Sequence, residues 1–392
     1  MPARGTDMDV WASPPLDLLL EIFGSLSSTD VVRCAGVCKP WRRAIIGNAA
    51  SCLRPRPDRF LPDLLLGFFY SDGRWRQRAP GPFESARSVS AAAAHHAYEA
   101  ACSFAAYTHG ILSSRDGLLL LEGKEGDDLC LCNPMTGART FIAAAAFKPD
   151  AYVLVSGYDL SPSDDPAVRI VAAEAEHIDT DVTIRYQLFS PTSGDAAGTG
   201  AWGPVMRSPV FKGLMMTRMY RCGEVISRGA VHWLAVSTAD IMYTSGFYLP
   251  LTELPEPCQI HCFDGPLLLA TCRDGCLSVL RVVWDWSPGV QVWVLAGGDQ
   301  WMLQRTIDVE NFIWMKEAVG PRSGCILVEV KGQELLVDIE SGSSRLLRDL
   351  DPKDDLNGGG WRFPYEMDWS TYLSKLKQFY TLLESRWINL HG

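Results

Sequence analysis

The sequence predicts an α+β chain of two unlike parts. A small N-terminal unit of three helices comes first, followed by a mainly antiparallel all-β domain read as a β-propeller of about six blades, with a helix at its C-terminal end. Three observations carry the prediction. Apolar residues follow helical spacing in residues 15–45 and again beyond residue 368. After Gly110 the texture changes to short apolar runs separated by Gly, Asp, Asn and Pro, the pattern of many short antiparallel strands. A Gly-closed turn then recurs: Gly229 to Gly275 spans 46 residues and Gly275 to Gly324 spans 49, close to the ~40 to 50 residues of one four-stranded blade.

Residues 1–11 are expected to be disordered and residues 12–52 to form the helical unit. From Pro15, the positions Leu16, Leu19, Ile22, Phe23 and Leu26 fall on one helix face. Pro14 and Pro15 suit a helix start, and Asp17 sits in the first turn beside the positive end of the dipole. The run "SSTD" offers capping side chains to a second helix over roughly Asp30 to Val37. Pro40 stops that helix and, being tolerated at a first helical position, opens a third through Trp41, Ala44 and Ile45.

Three short helices in ~40 residues lie at the limit below which a core seldom sustains a fold unaided. Leu18, Leu19, Ile22, Phe23, Val31, Val32, Val37 and Trp41 are too many for one small interior. Part of that apolar surface must meet something else, either the rest of this chain or a second protein.

The X-Pro dipeptides of "RPRPDRF" favour extended backbone, which marks residues 53–62 as a linker and 63–367 as the β domain. The Ala- and Ser-rich stretch from Ser85 to Gly110 reads as a loop or an irregular first blade, with His95 and His96 as exposed loop residues rather than ligands. Beyond it, "SRDGLLLL" at Ser114, "SRGAVHWLA" at Ser227, "CRDGCLSVL" at Cys272 and "PRSGCILVEV" at Pro321 each place a turn ending on Gly before an apolar strand. A companion pattern of strand, polar turn, Gly and strand appears in "LCNPMTGART", "LFSPTSGDAA" and "VDIESGSSRL". Gly117 to Gly229 spans 112 residues, room for two blades with a long loop such as "SPSDDPAV". A ring of blades leaves no long exposed edge, which explains how so many strands avoid aggregating. A β-sandwich or jelly roll is the alternative architecture. Residues 368–392 carry Tyr372, Leu373, Leu376, Phe379, Tyr380 and Leu383 at helical spacing and are read as an amphipathic helix packed on the propeller.

The formal net charge of −10 works against nucleic acid as a partner, because a phosphate backbone rewards clustered Lys and Arg. No run approaches the ~20 apolar residues of a membrane helix, and the N-terminus lacks the pattern of a secretory signal. The expected location is therefore intracellular, cytoplasmic and/or nuclear, with the 12 cysteines as thiols. Neither Cys130 with Cys132 nor Cys258, His261 and Cys262 forms the paired spacing that holds a tetrahedral zinc. Cys130 and Cys132, alternate residues on a strand, point to one face as small core hydrophobes. No metal or cofactor is expected.

The helical residues carry a resemblance. "PLDLLLEIFGSLSSTDVVRCAGVCKPWRRAI" resembles an F-box, the motif that binds the Skp adaptor of cullin-RING ubiquitin ligases. The matching positions are Pro15, Asp17, Leu18, Leu19, Glu21, Ile22, Leu26, Asp30, Val31, Arg33, Val37, Cys38, Lys39, Trp41 and Arg42. Departures fall at Pro14, Gly24, Ser25 and Ser27. The resemblance implies that Pro15, Leu18, Leu19, Ile22, Phe23, Leu26, Val31, Val37, Cys38 and Trp41 meet Skp, which would cover the surplus apolar surface. The second part is similar to the kelch-like, F-box-associated region of plant F-box proteins, through "RDGLLLL" with "LCNPMTG", "RGAVHWL", "FIWMKEA" and "PYEMDWSTYLSKL". The resemblance thus implies a substrate-recognition subunit of an SCF-type ligase, with an unidentified target protein held by the β domain and no catalysis of its own.

The residues alone agree on the last point: no nucleophile elbow, phosphate-binding Gly loop or HExxH pair occurs. His232, between Val231 and Trp233, reads as a satisfied, half-buried histidine. Asp164 with Asp165 and Asp354 with Asp355 read as solvated turns. Aromatic residues of inter-strand loops are candidates for a target-binding face, with Tyr243, Tyr248 and Trp301 as examples. The alternative function is a propeller that binds a small molecule or glycan, with Skp contact serving regulation.

Overall fold

The computed structural model describes residues 15–26, 28–48, 64–71, 83–85, 108–123, 128–134, 137–157, 159, 168–179, 181–191, 200–212, 214–215, 224–227, 229–237, 244–250, 258–260, 267–272, 275–283, 289–296, 300–309, 312–330, 332–349 and 361–368. The N-terminus 1–11, the linker 53–62, His95 and His96, and the C-terminal helix expected over 368–392 lie outside them, apart from Asp368.

The three expected helices are present: α1 (Leu16–Ser25), α2 (Ser28–Val37) and α3 (Lys39–Gly47). Pro15 is extended at ψ 143° and its carbonyl accepts the first α1 bond from the Leu19 N–H at 3.1 Å. Between α2 and α3 the chain straightens at Cys38, with φ −154°, and Pro40 lies in the first turn of α3, where a missing N–H costs nothing. Leu19, Phe23, Val31, Ala35, Ala44 and Ile45 close on one another as a small core. That core has a seventh buried member, Leu64, the residue before the β domain begins. The Leu64 carbonyl in turn accepts the Met367 N–H at 2.8 Å. The bundle is thus seated where the first strand of the β domain starts and its last one ends.

Among the described residues the β domain runs through 25 strands. The first six are β1 (Leu65–Ser71), β2 (Phe83–Ser85), β3 (Thr108–Arg115), β4 (Leu118–Gly123), β5 (Asp128–Asn133) and β6 (Ala138–Ala143). Next come β7 (Ala151–Val155), β8 (Arg169–Ile178), β9 (Asp181–Pro191), β10 (Gly200–Trp202) and β11 (Met206–Arg207). They are followed by β12 (Leu214–Met215), β13 (Val225–Ser227), β14 (Ala230–Ser237), β15 (Thr244–Pro250) and β16 (Cys258–Ile260). The remainder are β17 (Leu267–Thr271), β18 (Leu277–Val283), β19 (Gly289–Ala296), β20 (Gln300–Asp308), β21 (Phe312–Val319), β22 (Cys325–Val330), β23 (Gln333–Asp338), β24 (Ser344–Asp349) and β25 (Trp361–Glu366).

They pair into six sheets among the described residues. Four contain a meander of four consecutive antiparallel strands, as propeller blades do: β3 to β6, β7 to β10, β17 to β20 and β21 to β24. A fifth is built on β14, β15 and β16 with β12 and β13 against β14, and a sixth joins β2, β1 and β25. Every seam between successive sheets has its own apolar core. Leu120 and Leu129 meet Tyr152 and Leu154; Val153 and Ile184 meet Val231 and Trp233. Leu269 and Val279 meet Val225, and Leu280 and Val292 meet Ile326 and Val328. Leu327 and Leu336 then meet Leu65 and Phe68, and Phe363 and Tyr365 meet Ile111 and Leu119. The last two seams return to the start, so the sheets form a ring.

The repeated Gly turns mark the blades. Gly117, Gly275 and Gly324 fall between the first and second strand of a sheet and Gly229 between β13 and β14, with φ of +80°, +68°, +65° and +74°. The companion glycines Gly137 and Gly342, at +74° and +72°, fall between third and fourth strands. All six adopt the left-handed backbone that a side chain resists. The 112-residue interval of Gly117 to Gly229 is accounted for by the additional β7 sheet; most of the expected loop "SPSDDPAV" lies outside the described residues. Gly117 is also closely approached, because a Cβ there would lie 3.2 Å from the Asp368 backbone N. Gly117→Ala is expected to cost about 1–2 kcal/mol from backbone strain alone, read as a lowered thermal midpoint.

One element is not singled out as a strand in the sequence. Residues 361–366 fall at the end of the expected β domain, and Trp361–Glu366 is a strand, paired antiparallel with β1 from Leu65↔Glu366 to Ser71↔Trp361. Pro364, opposite Phe68, is tolerated because β25 is the innermost strand of its sheet and has an open edge for the missing donor. Strands from the two ends of the domain therefore close the ring.

Candidate functional site

Two places concentrate chemistry. The first is the open side of the helical bundle. On α1 successive residues turn by about 100°, and Leu19 and Phe23 face the core, 6% and 1% exposed. Leu18 and Ile22 occupy the adjoining stripe and remain 48% and 43% exposed, while Leu16, on the other flank, is 50% exposed. Asp17 and Glu21 hold the remaining side. The apolar arc of α1 is wider than the bundle can cover. Val37, at the end of α2, is 66% exposed. Trp41 stands half-buried at the border, edge-on to Phe23 with ring centroids 5.5 Å apart. Arg42 Nε donates to the Ala35 carbonyl at 2.9 Å and fixes α3 against α2.

The ten residues expected at a partner interface are therefore divided. Pro15, Leu18, Ile22 and Val37 are open, and Leu26, Cys38 and Trp41 are half-buried. Leu19, Phe23 and Val31 are buried. They are committed to the bundle's own core and in this conformation offer a partner no surface, shaping the open face from behind.

The second place is a charged clasp at the turns nearest the propeller axis. Arg322, from the β21–β22 turn, sends Nε to Asp116 Oδ1 at 3.0 Å and Nη2 to Asp116 Oδ2 at 2.9 Å and Asp159 Oδ1 at 2.7 Å. Arg115 donates through Nε to Asp159 Oδ2 at 2.6 Å and through Nη2 to Asp159 Oδ1. Ser156 Oγ donates to Asp116 Oδ2 at 2.5 Å, and the Ser156 N–H to Asp159 Oδ2 at 2.9 Å. Glu366, at the end of β25, accepts the Arg322 N–H at 2.9 Å and the Ser323 N–H at 2.7 Å. Two buried cations thus face two buried aspartates, and the bonds join four sheets across the seam where the ring closes. Burial pushes the Glu366 carboxyl up, against these donors. Burial would also raise Asp159, but Arg115 and then Arg322 outweigh it and hold that carboxyl at about 2. Its folded value lies below the unfolded value of about 3.9, so the clasp stabilises fully above about pH 4 and loses this contribution as pH falls toward 2.

Beside the clasp the inner strands enclose an axial cavity of about 50 Å³, lined among others by Ser113, Ser114, Leu154, Glu224, Thr271 and Pro364. At about 10–15 Å³ per probe-sized water, the space the described residues bound has room for a few waters. Glu224 is half-buried as a residue, yet its Oε2 is shut off from solvent and has no hydrogen-bond partner among the described residues. Burial lifts this carboxyl to about 8. The sign is opposite to that of Asp159: the contribution is whole below the unfolded value of about 4.3 and is lost as pH rises to about 8. Glu224→Gln is therefore expected to match the parent's thermal midpoint near pH 4 and to exceed it at about pH 9. Equal midpoints at both ends would contradict a buried neutral acid.

Of the other singled-out residues, Cys130 and Cys132 are buried in one core cluster, their thiols pushed up by burial. Burial drives His232 down to about 4, so it stays neutral on β14. Trp301 lies in the strand β20 rather than in a loop, packed against Leu269, Leu277 and Val279. Tyr248 is likewise in a strand, β15, and Tyr243, Asp164, Asp165, His261 and Cys262 fall outside the described residues.

Comparison with known proteins bears on the helical unit, where residues 11–49 match the F-box-like family. The N-terminal unit is an F-box-like domain. No curated protein matches the chain. Among solved structures it aligns with an ACO/RPE65 chimera at TM-score 0.35 and 11% identity, over 74% of this chain and 79% of that one. It aligns with Porphyromonas gingivalis dipeptidyl peptidase 4 at TM-score 0.32 and 10% identity, over 61% of this chain and 38% of the peptidase. The tricorn protease aligns at TM-score 0.34 and 10% identity, over 61% of this chain and 26% of the protease. At such scores no argument about this chain passes from these proteins, and the propeller arrangement rests on the strand order and the closed set of seams.

The F-box-like domain is legible as motif and spacing, but the clasp is not. Arg115, Asp116 and Arg322 are visible in the sequence only as turn residues before a repeated Gly, and Ser156, Asp159 and Glu366 carry no signal at all. The recurrence of Arg two places before Gly117, Gly275 and Gly324 is the pattern that could have pointed to Arg115 and Arg322.

Proposed function

We propose that this chain is the substrate-recognition subunit of an SCF-type cullin-RING ubiquitin ligase. The F-box-like domain binds the Skp adaptor and, through it, the cullin-RING assembly, while the propeller holds a target protein. The observation that carries the reading is the open arc of Leu16, Leu18, Ile22 and Val37 on a domain of the F-box-like family. Apolar side chains of this size, left in water beside a filled core, are what an obligate partner would cover.

The transfer chemistry belongs to other subunits, and this chain contributes position. Holding a target lysine close to a charged conjugating enzyme raises its effective concentration without any new bond-making group. The shared core residue Leu64 supports that role, because it ties the helical domain to the strand pair that closes the ring. The kelch-like, plant-type resemblance of the β domain, the domain boundaries drawn above and a cytoplasmic or nuclear location belong to the same proposal. The space the described residues bound in the axis gives no support to a small-molecule or glycan ligand there. Co-expression with a Skp-type adaptor tests the reading: the two chains are expected to co-purify as a stoichiometric complex, and separate elution of two folded proteins would remove the ligase assignment.

A further inference from the structure

Cysteine is placed unevenly in this molecule. Cys130, Cys132 and Cys325 are buried with their thiols raised by burial, Cys325 to about 12, which keeps them protonated and poorly nucleophilic. Cys272 and Cys276 differ in being brought together by the fold. The register of β17 and β18 ends on Thr271↔Leu277, so the next two positions, Cys272 and Cys276, stand opposite each other. The Cys272 N–H donates to the Cys276 carbonyl at 2.9 Å, and the Gly275 N–H donates to the Cys272 carbonyl at 2.9 Å. Gly275, at φ +68°, is thus the left-handed first residue of a glycine bulge beside Cys276.

We propose that Cys272 and Cys276 form a reversible intra-hairpin disulfide on exposure to hydrogen peroxide, which makes this turn an oxidation site of the propeller. Directly opposed residues of an antiparallel pair send their side chains to the same face, with Cα atoms about 5.5 Å apart when hydrogen-bonded. That separation lies inside the range of about 4.4–6.8 Å that a disulfide spans. Their Cβ atoms, about 4.5–5.5 Å apart in such pairs, need to close to about 3.5–4.5 Å, a movement the glycine beside Cys276 can absorb.

Access sets the order of events. Cys276 is half-buried and meets the oxidant, while Cys272 is 4% exposed and resolves. The Cys276 thiolate attacks one peroxide oxygen, the O–O bond breaks, and the departing hydroxide takes up a proton as water, leaving a sulfenic acid. The Cys272 thiolate then attacks that sulfur and the S–O bond breaks, releasing a second water. In sum, two thiols and one hydrogen peroxide give one disulfide and two waters. A bond closing so small a hairpin is strained, and strained disulfides are the readily reduced ones, so the thiol state returns under reducing conditions. The site touches a seam of the ring, because Ser227 Oγ donates to the Gly275 carbonyl at 2.7 Å from the neighbouring sheet. It does not depend on the adaptor assignment.

Peptide mapping of the full chain after peroxide treatment and alkylation under denaturing conditions tests the proposal directly. Trypsin cuts after Arg273, so a disulfide at Cys276 leaves the peptide Asp274 to Arg281 joined to the segment Gly229 to Arg273, which carries Cys258, Cys262 and Cys272, and fragment-ion sequencing of the joined pair places the bond at Cys272. The expected result is that joined pair, two fewer alkylated thiols out of 12, and its disappearance with dithiothreitol or in Cys276→Ser, with Cys130→Ser unchanged. In the unsubstituted chain, recovery of Asp274 to Arg281 alkylated, oxidised to sulfinic acid or joined to a different cysteine overturns the assignment, whether or not the variants fold.

Discussion

Arg322→Ala is expected to lower the stability of the β domain by about 3–5 kcal/mol, the cost of removing one partner from a buried ion cluster. The guanidinium is the hub of the clasp, with Nε and Nη2 on Asp116 and Nη2 on Asp159. Without it Asp116, 7% exposed, keeps Ser156 Oγ but has lost its counter-charge, and an uncompensated buried carboxylate is what makes such truncations severe. Burial works against the Arg322 cation, yet Asp116 and Asp159 raise its pKa overall, so the charge is present at every pH where the fold exists. Urea denaturation followed by tryptophan fluorescence measures the loss. In Asp116→Asn with Arg322→Ala, the two effects are expected to sum to less than their separate values, because the residues share one network. A midpoint shift in Arg322→Ala no larger than that of an exposed substitution would mean that the clasp holds nothing together.

The clasp also shows what a single sequence hides. The blades are readable because four of the six sheets repeat a local physical demand: a left-handed residue in the turn entering a central strand, met by Gly117, Gly229, Gly275 and Gly324, and apolar alternation on either side. These are requirements of a few adjacent residues, so they leave a trace in the order of the residues. The ion cluster makes no such demand. Arg322 meets Asp116 across 206 positions, and nothing about either turn says which distant turn it will face. The closing strand is hidden for a different reason. Phe363, Tyr365 and Met367 alternate as a strand should, and all three are buried, but Pro364 among them argues against a central strand. Only the ring places that proline on an open inner edge.

The same distinction governs the adaptor face, where Ile22→Asp and Leu19→Ala are expected to fail in different ways. Both positions lie on the apolar side of α1 and both belong to the expected contact set, so the sequence could not separate them. Ile22 is 43% exposed and Leu19 is 6% exposed. Placing Asp at 22 puts a charge on a surface already in contact with water, and the bundle should melt within about 0.5 kcal/mol of the parent. Against an adaptor, the same charge would have to be desolvated without a counter-ion, a penalty of several kcal/mol, which is enough to abolish co-purification. Leu18→Asp, at 48% exposure on the same stripe, is expected to act alike. Leu19→Ala removes a core side chain packed with Phe23, Val31 and Ile45 and is expected to cost about 2–5 kcal/mol of domain stability, losing the adaptor only by loosening the domain. Thermal melts and adaptor pull-downs on the three variants resolve the two mechanisms: normal melting with lost binding for Ile22→Asp and Leu18→Asp, lowered melting for Leu19→Ala. Retained binding in a normally folded Ile22→Asp, Leu18→Asp double variant would show that the open arc of α1 is not where the adaptor sits.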